Sequence, residues 1–111
     1  MPRTERIRLR VTPSEGNSAA RVLEAIREYA SAETRNPWMI RSRRPFVLEH
    51  RSPRAAGVRY ALERDADGLS LVISGARARL GLAYAMTLLA NPRFSGAIES
   101  VEVRLPTASR S

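Results

Sequence analysis

Apolar and polar positions alternate in short, distinct runs along this chain, and the period of each run predicts its element. Residues 5–12, Glu-Arg-Ile-Arg-Leu-Arg-Val-Thr, alternate with period two and predict a half-buried strand. Ile7, Leu9 and Val11 fall on one face, and Arg6, Arg8 and Arg10 on the other. A turn follows at Pro13 to Asn17, and Asn17 or Ser18 is placed to cap a helix over 18–33. Val22, Leu23, Ile26, Tyr29 and Ala30 lie at helical spacing there, against Arg21, Glu24, Arg27 and Glu28 on the opposite side. Asn36-Pro37 ends the unit.

Residues 38–50 are less regular. Trp38–Arg43 and Phe46–His50 each read as a short strand, with Pro45 breaking the first or displacing it to a sheet edge. Residues 51–57 have loop composition. Residues 58–64 alternate again, turn at Asp65-Ala66-Asp67-Gly68 and continue as Leu69 to Ser74, the pattern of a β-hairpin. Ser74 or Gly75 is expected to open a second helix over about 76–90, with Leu80, Leu82, Tyr84, Met86, Leu88 and Leu89. Apolar residues cover more than half its circumference, so it is either deeply buried or also packs on a partner. Gly81 and Ala85, four apart, suit close packing against the sheet or another subunit. Asn91-Pro92 stops this helix, and residues 97–105 form a last alternating strand.

The resulting order is β-α-(β)-β-β-α-β. The expected fold is a single α+β domain over 1–105, with a flexible tail at 106–111. Its simplest architecture is a ferredoxin-like sandwich: an antiparallel sheet, two helices on one face, and an inserted segment at about 38–50. Such a fold hosts many unrelated activities, so function has to be read from its surfaces.

Composition narrows the classes. At 111 residues with 43% hydrophobic content, the chain is long enough for a core of its own. No apolar run approaches the ~20 residues that span a bilayer, and the charged N-terminus lacks the apolar core of a secretion signal. The absence of cysteine excludes disulfides, thiolate metal sites and cysteine nucleophiles. A cytoplasmic protein without a membrane partner is the expectation. The net charge is +8, and all 19 basic residues are arginine. A GC-rich coding background accounts for arginine in place of lysine, but the positive field still attracts anions whatever its origin.

Three places could use that field. First, Arg6, Arg8 and Arg10 would form a ladder on the helix-free face, joined by Arg59 and by Glu63, Ser70, Val72 and Glu102. RNA-recognition motifs bind through such a face with aromatic residues on the central strands, but here the first strand has none and Tyr60 falls on the buried phase. Second, Arg41, Arg43, Arg44, Arg51 and Arg54 concentrate on the inserted segment, bracketed by Trp38 and Phe46. Both rings are more readily explained as core. Third, Ser74, Gly75 and Arg77 at the strand-to-helix junction could present free amides to an anion.

Catalytic constellations are weaker. His50 is the one histidine, no paired carboxylates stand out, and Asp65 and Asp67 are accounted for by the hairpin turn. No metal or cofactor is implied. The expected function is therefore a small basic, non-catalytic interaction module acting by self-association, as a homodimer, or by docking on a protein partner. The alternatives are nucleic-acid binding through phosphate contacts at the arginine-rich surfaces, and regulation by a small anionic ligand.

Overall fold

The period-two run at the start of the chain becomes the first strand, β1 (Glu5–Pro13), with Ile7, Leu9 and Val11 essentially fully buried. In the computed structural model, which describes residues 5–32, 36–65 and 68–104, seven further regular elements follow. They are α1 (Ala19–Ser31), β2 (Trp38–Arg43), β3 (Phe46–His50), β4 (Arg59–Asp65), β5 (Gly68–Gly75), α2 (Ala78–Leu89) and β6 (Ile98–Arg104). The tail expected at 106–111 lies outside the described residues, as does Leu105.

The strands form one antiparallel sheet in the order β2-β3-β4-β5-β1-β6. Two helices cover one of its faces. Val22, Ile26 and Ala30 of α1 and Ala78, Ala85, Leu88 and Leu89 of α2 share a single core with β1, β4 and β5. Val72, which points to the other face, is buried but stands apart from that core.

The six-strand order is not that of the ferredoxin-like β-α-(β)-β-β-α-β sandwich expected from the sequence. Segment 38–50 is a hairpin of two strands that extends the sheet beyond β4. Pro45 lies in the turn between them, where it removes no ladder hydrogen bond, and β2 occupies the edge. Trp38 and Phe46 face the helices and are about 96–97% buried, so both rings are core.

Local chemistry accounts for the helix ends. Ser18 caps α1, its hydroxyl accepting the Arg21 N–H at 3.2 Å. The second helix starts later than expected, at Ala78 instead of 76, because β5 runs on through Ser74 and Gly75. Gly75 has φ +127, and a Cβ there would lie 2.7 Å from the Gly57 carbonyl oxygen. The chain can leave β5 along that path only with glycine. The expected close packing of α2 is present: Gly81 and Ala85 are buried against the sheet, and a Cβ on Gly81 would meet Val58 Cγ1 at 2.7 Å.

Candidate functional site

The helix-free face carries Arg6, Arg8 and Arg10 from β1, opposite Ser74, Val72 and Ser70 of β5, with Arg59, Ala61 and Glu63 of β4 beyond. Acidic groups interleave with these arginines. Arg8 reaches Glu63 at 3.7 Å, and Arg10 reaches Asp65 at 3.0 Å while also donating to Ser70 Oγ at 3.3 Å. Glu49 stands between Arg41 and Arg59, at 3.8 and 3.7 Å, and Arg104 pairs with Glu102 at 3.1 Å. Ser70 and Val72 are buried beneath this layer. Five of the six arginines on this face thus lie within 4 Å of an acid, over small side chains, which lowers its positive potential, and among the described residues Arg6 has no carboxylate that close.

The arginines of 41–54 do not converge into one patch. Arg41 belongs to the sheet-face lattice through Glu49. Arg51 donates its Nε proton to the Asn36 carbonyl at 3.0 Å and lines a cleft with Trp38, Ile40 and Arg43. Arg54 lies in a short 3₁₀ turn (Pro53–Ala55) capped by the Ser52 hydroxyl. Arg43, at the end of β2, also lines a second groove, together with Arg44 of the β2–β3 turn.

Of the junction residues Ser74, Gly75 and Arg77, only Arg77 stands at the helix terminus. Ser74 sits in the ladder between Arg6 and Arg59, Gly75 ends the strand, and Arg77 caps α2 without a side-chain hydrogen bond.

The groove that does gather unpaired cations lies between α1, the β2–β3 turn and the end of β4, with a volume of about 550 Å³. Arg27, Arg43, Arg44 and Arg64 line it, together with Glu24 and Glu63, over an apolar floor of Leu23, Phe46 and Leu62. Arg43 and Arg44 belong to the arginine-rich segment legible in the sequence, whereas Arg27 and Arg64 lie outside it. The missed signal was phase: Tyr60, Leu62 and Arg64 alternate on the same side of β4, so Arg64 must face the helix layer.

His50 occupies a structural joint. Its Nδ1 accepts the Ser52 N–H at 3.0 Å, and its ring lies 4.8 Å from Trp38 and 4.3 Å from Tyr84. The Ser52 and Tyr84 hydroxyls are 3.1 Å apart, tying the end of β3 to α2. Burial lowers the His50 pKa, which suits a neutral imidazole whose Nδ1 acts as acceptor. Beneath it, the Tyr60 hydroxyl is buried without a hydrogen-bond partner, and burial, reinforced by Tyr84, pushes its pKa far up. Among the described residues, no group of His, Asp and Glu side chains could hold a metal ion.

No protein-family model, curated protein or solved structure gives a significant match to this chain. The functional reading therefore rests on the residues themselves. No helix among the described residues is long and apolar enough to cross a membrane.

Proposed function

We propose that this chain is a small non-catalytic interaction module, an elaborated ferredoxin-like domain that associates with a second copy of itself through β6, an edge strand among the described residues. In this reading β4-β5-β1-β6 is the ferredoxin-like sheet, and the β2–β3 hairpin is the addition.

The observation that carries the proposal is where apolar side chains remain exposed. Val103 of β6 is 40% exposed, and on α2 Leu80 is 45% and Met86 39% exposed. β6 is an edge of the sheet, and α2 packs on β1 and β5 beside it. An edge strand with an exposed apolar side chain is a template for another strand. The opposite edge is blunted: β2 has a register irregularity between Ile40 and Ser42 and exposes Arg41 and Arg43.

The charge pattern of β6 also suits self-pairing. In a two-fold antiparallel pair centred on Val103, Glu102 of each copy faces Arg104 of the other on the open face, and the two Val103 side chains meet on the helix face. Moving the register by two residues sets Glu102 against Glu102, which is repulsive. A two-fold axis perpendicular to the sheet keeps both helix layers on one side, giving a closed, isologous contact.

Nucleic-acid binding through the sheet face is less favoured. Acidic groups interleave with its arginines, and none of the chain's aromatic side chains is fully exposed to offer a stacking platform. Sedimentation velocity over a wide concentration range tests the proposal. Wild-type protein should shift reversibly from monomer to dimer, and Val103→Lys should remain monomeric with an unchanged circular dichroism spectrum. A Val103→Lys variant that dimerises like wild type would refute the β6 edge as the interface.

A further inference from the structure

We propose that the groove between α1, the β2–β3 turn and the end of β4 binds a small organic phosphate with an apolar or aromatic body. This site is separate from the proposed β6 contact: β4 and β6 are divided by β5 and β1.

Its arginines differ from those on the open face other than Arg6. Arg8, Arg10, Arg41, Arg59 and Arg104 each lie within 4 Å of a carboxylate. Among the described residues, Arg27, Arg43, Arg44 and Arg64 have no such partner, yet all four line the one groove. Of the two carboxylates beside them, Glu63 is engaged by Arg8 on the other side. Four guanidiniums against two carboxylates leave an excess of about two positive charges, which matches a doubly ionised phosphate monoester. Guanidinium forks bind phosphate oxygens in pairs, so adjacent arginines at a turn are suited to this ligand.

Arg27 gives the groove a fixed member. Its guanidinium carbon stands 5.1 Å from the Phe46 ring centroid, in cation–π contact, and its Nε is buried without a hydrogen-bond partner. A cation held in this way, with no described carboxylate within 4 Å, is stabilised by an anion brought to its outer nitrogens. Arg43, Arg44 and Arg64 are exposed and free to close over such an anion.

Size and floor decide against inorganic phosphate alone. A groove of about 550 Å³ is far larger than one phosphate group and lies in the range of small-molecule sites. Leu23, Phe46 and Leu62 offer apolar surface for the rest of the ligand.

The test is NMR titration of the isotope-labelled protein with phenyl phosphate, adenosine monophosphate, adenosine and inorganic phosphate, with a short single-stranded RNA in parallel. At least one organic phosphate should bind saturably, shifting amides at 43–46 and 62–64, and inorganic phosphate and adenosine should bind more weakly. Arg44→Gln combined with Arg64→Gln should weaken binding about tenfold or more, as loss of charge-assisted hydrogen bonds does. Arg54→Gln, outside the groove, should leave it unchanged. The proposal is overturned if no organic phosphate saturates, if the double variant binds like wild type, if inorganic phosphate binds equally well, or if only the RNA binds.

Discussion

Arg8 and Glu63 meet across β5, 3.7 Å apart, above a Val72 that is only 3% exposed. The pair joins β1 to β4 over the central strand and cancels charge where the arginine ladder of β1 had suggested a nucleic-acid surface. With side chains 44% and 46% exposed it adds little stability, since surface pairs contribute about 0–1 kcal/mol. Its effect is on potential. Removing arginines from this face with Arg6→Gln and Arg8→Gln should therefore change the anisotropy-measured affinity for a short single-stranded RNA by less than about twofold. A loss of an order of magnitude would reinstate the face as a phosphate-binding surface.

Gly81 is a point of close approach between α2 and the sheet. An added Cβ would lie 2.7 Å from Val58 Cγ1 and 2.8 Å from the Tyr60 hydroxyl, and both of those residues are fully buried. Two effects oppose each other in Gly81→Ala. Alanine favours the helix by about 1 kcal/mol, whereas overpacking a rigid contact costs about 1–3 kcal/mol. Because neither neighbour has open space to move into, the clash should win. Urea denaturation should show a net loss of about 1 kcal/mol, and a stabilised variant would mean that α2 sits farther from β4 than described.

The joint at His50 makes stability depend on pH. Burial lowers its pKa from the ordinary 6.5, so the folded chain binds the proton less readily than the unfolded chain. The corresponding stability is fully present above pH 6.5 and is lost as pH falls toward and through the lowered folded value. His50→Asn supplies another acceptor for the Ser52 N–H but cannot titrate. Between about pH 7.5 and 5, wild type should lose more stability than His50→Asn in denaturant titrations. Parallel slopes would show that His50 is not held neutral.

Much of the fold was legible because burial and periodicity coincide. Ile7, Leu9 and Val11 alternate, and all three are core; Tyr60 was placed on the buried phase of its strand and is fully buried. The N-terminal end of α2 shows what pattern alone misses. Gly75 resembles a helix opener in sequence, but tertiary contact with Gly57 keeps it in the strand. The 38–50 segment was ambiguous because two short strands around a proline carry too few residues to establish a period. For the candidate sites, arginine content was visible but pairing was not. Arg8 and Glu63 are 55 residues apart, and only the β4-β5-β1 order brings them together. The same topology assembles Arg27 of α1, Arg43 of β2, Arg44 of the β2–β3 turn and Arg64 of β4.

Self-association through β6 is tested most directly by charge complementation. Glu102→Arg and Arg104→Glu each set like charges opposite one another in the Val103-centred register, so each variant alone should be monomeric in sedimentation velocity. Mixed at equal concentration, they present arginine to glutamate at both positions and should form a one-to-one heterodimer. Singles that dimerise like wild type, or a mixture that stays monomeric while wild type dimerises, would contradict this interface.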